Sequence, residues 1–193
     1  MVIFVYVDNS NVWIEGQRLS AVKKGMAANL TDAMNQKICD MTWAYDFGRL
    51  YELACPKNHQ VGRSILFGSR PPANDSLWER ARQDGFEVKV YDRNASNKEK
   101  EVDVSLSTTL MEDSYEYMRA ERKDMAVLLT GDRDYVPTVA SLQRRGLRVR
   151  VVFWEHAVAR ALKEAADEFI ALDPALDYIG HSGGWVQPPA TSN

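Results

Sequence analysis

Two kinds of run alternate along the chain. Residues 2–7 (Val-Ile-Phe-Val-Tyr-Val) and 125–129 (Met-Ala-Val-Leu-Leu) are continuously apolar. A strand covered on both faces has no solvent face to mark with polar residues, so these runs predict buried strands of a parallel sheet. Further strands are predicted at 64–68, 86–91 and 148–154, with an edge strand at 168–172. Between them the spacing turns helical: through Val12, Ile14 and Leu19; over 42–54 through Trp43, Phe47, Leu50 and Leu53; over 76–83, stopped by Gly85; through Val102, Leu106 and Leu110; over 135–145, stopped by Gly146; and over 157–166. Residues 23–40 show no clear period and read as a loop or broken helix. Strands and helices that alternate at crossover-length spacing predict an α/β fold, a mostly parallel central sheet covered by helices on both faces.

The predicted strands run into acids. Asp8 closes the first, Thr130-Gly131-Asp132-Arg133-Asp134 follows the fourth, and Asp103 follows the polar stretch 92–101 after the third. Open α/β sheets bind ligands at the carboxyl ends of their strands, so these side chains are expected at the functional edge. A single Asp opening a helix is explained as an N-cap that accepts a backbone N–H at the positive end of the helix dipole. Two carboxylates one residue apart exceed what a cap requires, and they repel unless a proton or cation intervenes. Clustered carboxylates suit a hard divalent cation, Mg²⁺ or Mn²⁺.

Three segments carry a family resemblance. Val7-Asp8-Asn9-Ser10-Asn11, Lys100-Glu101-Val102-Asp103 and Thr130-Gly131-Asp132-Arg133-Asp134-Tyr135 resemble, in order and context, the signature motifs of NYN domains, part of the PIN-like nuclease superfamily. The resemblance spans residues 1–172 and leaves 173–193 as a C-terminal tail, partly disordered. It implies a three-layer, Rossmann-like α/β/α fold of the PIN-like kind and a metal-dependent endoribonuclease. Asp8, Asp103, Asp132 and Asp134 match the metal-ligating acids, and Asn11 the family's Asn beside the site. Many members carry a further Asp in the helix after the Asp103 position; this chain has Thr109 there, a neutral and weaker ligand, which predicts a second metal bound loosely or only with substrate.

Composition narrows the partners. At 193 residues the chain suits one domain, and a formal charge of -3 from 24 basic and 27 acidic residues excludes a basic coat for nucleic acid. Contact with RNA must then be local. Arg70, Arg93, Lys98, Lys100 and Arg133 follow strands or flank the motifs and are the candidate phosphate contacts, with Trp154 at a strand end as a candidate base-stacking residue or a packing aromatic. Lys23, Lys24, Arg144, Arg145 and Arg148 are expected at the opposite edge. Cys39 and Cys55 form no metal-binding pair and read as reduced thiols of a cytoplasmic protein. The first residues lack a targeting pattern, no stretch is long enough to span a bilayer, and His59, His156 and His181 form no nucleophilic triad. A binding or regulatory module of the same fold, or a Mg²⁺-dependent phosphatase of small phosphoesters, remains an alternative, as does a homo-oligomer or protein partner.

Overall fold

The computed structural model describes residues 1–69, 76–91 and 98–182. Six parallel strands form the central sheet: β1 (Val2–Asp8), β3 (Gln60–Ser69), β4 (Glu87–Tyr91), β5 (Met125–Leu129), β6 (Arg148–Phe153) and β7 (Glu168–Ala171). Their order is β4-β3-β1-β5-β6-β7. Every residue of β1 and β5 is buried, which is why these two sequences are continuous apolar runs.

From β1 the chain steps outward to β3 and β4, then returns to β5 on the other side of β1 and steps outward again. Right-handed crossovers therefore place the helices of the first half, α1 (Asn9–Lys23), α3 (Phe47–Ala54) and α4 (Ser76–Gln83), on one face. They place α5 (Lys98–Glu116), α6 (Val136–Arg144) and α7 (Arg160–Ala165) on the other. The short α2 (Leu30–Asn35) lies against α1, and α8 (Leu176–Ile179) against α3. No described helix is long and apolar enough to cross a membrane.

One expectation is corrected, and two others gain detail. The helix expected over 42–54 begins later: Trp43–Tyr45 is a strand, β2, and Asp46 caps α3 by accepting the Arg49 N–H at 3.0 Å. β2 pairs antiparallel with β8 (Gly180–Ser182), so ordered elements continue past residue 172, and His181 lies in a strand opposite Ala44. The aperiodic stretch 23–40 contains α2, capped by Asn29.

The turn after β5 is held tightly from behind. A Cβ on Gly131 would sit 2.3 Å from the Phe153 ring and 2.8 Å from the Ala157 carbonyl oxygen, while the Gly131 carbonyl accepts the Ala159 N–H at 2.8 Å. Glycine lets the Thr130–Asp132 turn lie directly on β6 and the start of α7. Gly131→Ala is expected to destabilise the protein by about 1–3 kcal/mol through overpacking. Urea denaturation would measure it, and an unchanged midpoint would show that the turn can move away freely.

Candidate active site

The sheet order reverses between β1 and β5, and the crevice at such a switch point is where open α/β sheets bind ligands. Val7 is paired with Leu129, so Asp8 and the turn that begins at Thr130 leave the sheet at the same level. Both carboxylates also serve as caps. The Asp8 carboxylate accepts the Asn11 N–H at 3.1 Å and the Ser10 hydroxyl at 2.9 Å, and Asp132 accepts the Asp134 N–H at 2.9 Å to open a 3-10 turn, Arg133–Tyr135. The cap and the functional reading thus coexist: the caps fix each carboxylate, and the register brings them together.

Asp103 arrives from α5. That helix begins at Lys98, earlier than its apolar face suggests, so Asp103 stands in the second turn. The buried Tyr135 donates its hydroxyl to Asp103 at 2.9 Å, tying α5 to the turn that carries Asp132. Asp8, Asp103, Asp132 and Asn11 all line one cavity of about 370 Å³, with Ser10, Ile14, Glu15, Arg18, Ser69 and Val102. Asp134 is exposed and is not among the lining residues.

The electrostatics separate these acids from others in the protein. Asp8, with 4 % exposure, has its pKa raised: burial opposes ionisation more strongly than the Asn11 and Ser10 hydrogen bonds favour it, and the Asp132 charge adds to the rise. Asp103 is pushed up to about 6, first by burial and then by Asp8, Asp132 and Asp134, against the stabilising Tyr135 bond. No ion pair among the described residues involves any of the four. At the opposite edge of the sheet, the buried Asp124 accepts from Arg122, the Val2 N–H and the Arg119 N–H, which outweigh burial and lower its pKa. Buried Asp40 is similarly lowered, with Lys24, Ser20 and Thr42 outweighing desolvation. Among the described residues, no group of three or more His, Cys, Asp or Glu side chains is drawn close enough to hold a metal outright.

The remaining candidates divide between core, rim and groove. Trp154 is fully buried and donates its indole N–H to the Val12 carbonyl at 2.9 Å. It packs edge-on against Trp43, so it is a core residue and presents no face to a base. Arg133 is exposed between Asp132 and Asp134. Arg70 and Arg93 lie outside the described residues, as do the side chains of Lys98 and Lys100, whose backbone forms the first turn of α5.

Thr109 is also displaced from the site. Six residues beyond Asp103, it is rotated by about 240° and lies about 9 Å further along the helix. It lines a larger, open groove of about 730 Å³ between β4 and α5, where Lys89 donates to it at 2.7 Å. That position therefore says nothing about metal binding at the acidic cavity. Conversely, the sequence motifs miss Glu15 and Arg18. Asn11, Ile14, Glu15 and Arg18 follow one another at offsets of three, four and seven residues, one face of α1, so helical periodicity extended from Asn11 would find them.

A pH dependence follows from Asp103. Its folded pKa, about 6, lies above the ordinary 3.8, so between these values the folded protein binds more protons than the unfolded chain. This contribution to stability is fully present below the lower value and is lost as pH rises through the upper one. Chemical denaturation of metal-free protein should show stability declining over that window, with Asp8 acting in the same direction. Asp103→Asn, which keeps an acceptor for Tyr135, should flatten the decline. An identical slope in the variant would refute the assignment.

The chain resembles known proteins in two ways. A structure of a protein of unknown function from Vibrio parahaemolyticus shares the fold at a TM-score of 0.63, with 19 % identity, covering 89 % of this chain and 92 % of that one. No curated protein matches the chain. The family model of the NYN domain matches residues 9–173, beginning one residue after Asp8 and taking in both other acidic motifs. With its parallel sheet and its acids gathered at the switch point, the chain belongs to the NYN domain family, a PIN-like nuclease family.

Proposed function

We propose that the protein is a metal-dependent endoribonuclease that cleaves RNA phosphodiester bonds at the acidic cavity. The observation that carries this reading is that Asp8, Asp103 and Asp132 face one cavity at the switch point without a cationic partner among the described residues. The donor set fits Mg²⁺ or Mn²⁺, since it offers only hard oxygens. Mg²⁺ commonly keeps several waters and takes one or two carboxylates together with substrate phosphate oxygens. Carboxylates that share a cavity without closing into a shell match that requirement. When bound, such a cation would offset charge gathering on the phosphoryl oxygens and lower the pKa of a coordinated water.

The chain's own residues supply position. Asp8 and Asp132 are fixed by their capping bonds, and Asp103 is oriented by Tyr135. Asp134 is the fourth candidate ligand; it stands exposed beside the cavity, and its charge adds to the rise in the Asp103 pKa. Asn11, on the first turn of α1, lines the cavity beside Asp8 and can hydrogen-bond the substrate or a hydrated cation. Arg133, with Arg70, Arg93, Lys98 and Lys100, is the proposed set of RNA phosphate contacts around the rim. Cys39 and Cys55 are free thiols, in keeping with the reading of a cytoplasmic enzyme.

Two measurements test the proposal. In Mn²⁺ or Mg²⁺, wild-type protein should cleave single-stranded or structured RNA and leave p-nitrophenyl phosphate untouched, while Asp132→Asn and Asp8→Asn should each lower the cleavage rate on the order of 100-fold. Hydrolysis of the small ester with intact RNA would favour a phosphatase. In thermal melts, metal at ~100 times its dissociation constant should stabilise the wild type by roughly 2.7 kcal/mol. Asp132→Asn should remove most of that shift, and a wild-type melt indifferent to both metals would count against the site.

A further inference from the structure

The acidic cavity poses an electrostatic problem for the substrate proposed for it. Asp8, Asp103, Asp132 and Glu15 line it, and a phosphodiester brings another negative charge. Among the described lining residues, Arg18 is the basic one. Its side chain is 21 % exposed, and it is held by Glu15 one turn earlier on α1 through Nη1. Glu15 is itself held from the other side. Its Oε2 lies 3.3 Å from Nε2 of His156, and a carboxylate can only accept, so that imidazole nitrogen carries the proton. His156 is 7 % exposed and comes from the segment after β6, where its Nδ1 faces Asp173 at 4.0 Å. Glu15 therefore bridges two elements, α1 and the β6–α7 connection, with one oxygen on each partner.

This arrangement leaves part of the guanidinium unused. The Nε of Arg18 is buried and has no acceptor among the described residues, although a buried donor left unmatched costs about 1–3 kcal/mol. With Nη1 engaged by Glu15, the side of the planar group that makes no bond among the described residues is the Nε–Nη2 edge. Those two parallel N–H bonds match the spacing of two oxygens on a phosphoryl group, a geometry that lysine cannot reproduce. We propose that Arg18 binds a non-bridging phosphate oxygen pair of the RNA strand through this edge, and that Glu15 and His156 are positioning residues that aim it. The inference rests on the reading of the cavity as a phosphodiester site, and deepens it by naming the group that recognises the substrate anion.

The consequence for binding is specific. Removing Arg18 should cost affinity even where the carboxylates and their cation are intact. Removing His156 should release Glu15 and let the guanidinium swing, raising KM more than it lowers kcat.

A fluorescein-labelled 12-nucleotide oligouridylate tests this by anisotropy in Ca²⁺, across a salt series, with a gel confirming that the probe stays whole. Circular dichroism and a melt accompany each full-length variant. Arg18→Ala should weaken binding at least 10-fold and flatten the plot of log affinity against log salt by about 0.7, the value for one lost contact to a single strand. Arg18→Lys, which keeps the charge without the two-pronged edge, should recover less than half of the loss on a logarithmic scale. Arg144→Ala, the same charge change at the far end of α6, should bind as wild type. In Mn²⁺ cleavage of the same probe, His156→Ala should raise KM several-fold with kcat within 2-fold, and His156→Gln, whose amide can still donate to Glu15, should restore KM.

The two proposals fail separately. If the wild type binds but does not cleave, while Arg18→Ala still weakens binding, the Arg18 assignment stands and the nuclease reading falls. If the wild type cleaves and folded Arg18→Ala binds and cleaves equally well, the Arg18 assignment is overturned and the nuclease reading stands. Should Arg18→Ala fail to fold, wild-type affinity in Arg18→Lys overturns the assignment. A wild type that does not bind the probe at all overturns it as well.

Discussion

The pairing of β1 with β5 is the constraint on which the site depends. Both strands are buried along their whole length and are held in a register that sets Val7 against Leu129. A slip by one residue would turn every side chain of a strand to the other face of the sheet, and since both faces are packed at interior density, side chains of different size exchanged between them would leave voids and overlaps. The register fixes more than packing. It makes the chain leave two neighbouring strands at one level, and at that level each strand meets an aspartate that caps the next helical turn. Local capping chemistry and the global strand order thus deliver the same two carboxylates to one crevice.

Carboxylates at the two edges of the sheet are treated in opposite ways. At the amino edge Asp124 is buried among an arginine and two backbone N–H groups, and Asp113 accepts from Tyr6 at 2.8 Å and from Arg63 at 2.5 Å. These acids are compensated: Asp124 ties the loop before β5 to β1, and Asp113 ties α5 to β1 and β3. At the carboxyl edge Asp8 and Asp103 are held with hydrogen bonds from neutral donors, and their ionisation is opposed by burial and by neighbouring carboxylates, Asp132 in both cases. A fold can carry such uncompensated charge only because the rest of the core over-determines the geometry. Where structural acids are satisfied and one cluster is not, the unsatisfied cluster is the candidate for chemistry.

Legibility in the sequence divides along the same line between local and distant constraints. Strands buried on both faces announce themselves as apolar runs, and acids at their ends can be assigned to one edge before any coordinates, because parallel sheets have a single carboxyl edge. Features that depend on distant pairing are hidden. Trp43–Tyr45 reads as helix because its partner strand Gly180–Ser182 lies far away in the sequence. Trp154 at a strand end reads equally as a base-stacking or a packing aromatic, and the choice is settled only by α1, which covers it and accepts its indole N–H at Val12. Thr109 is matched to the site by motif alone, whereas the rotation of α5 turns it toward β4. Arg18 is within reach of sequence, since it repeats at helical spacing from Asn11. Sorting basic residues by helix ends and strand ends, however, passes over a cation in the middle of a helix.

Arg18 also bears on the protein's overall charge. A formal charge of -3 gives no long-range attraction for a polyanion, so on the proposed reading affinity for RNA must come from contacts made after the strand has reached the cavity. A guanidinium already paired with a carboxylate is suited to that setting. Glu15 lowers the field that Arg18 projects into solvent, while the Nε–Nη2 edge, which makes no bond among the described residues, is the one proposed for short-range, directional bonds. The pairing thus exchanges steering for selectivity: a phosphate gains little until its oxygens meet that edge, and only a strand threaded past the carboxylates meets it. Under this reading, the near-neutral composition that argues against a basic coat instead describes how the RNA is held, through a few oriented groups at one edge of the sheet rather than a basic surface.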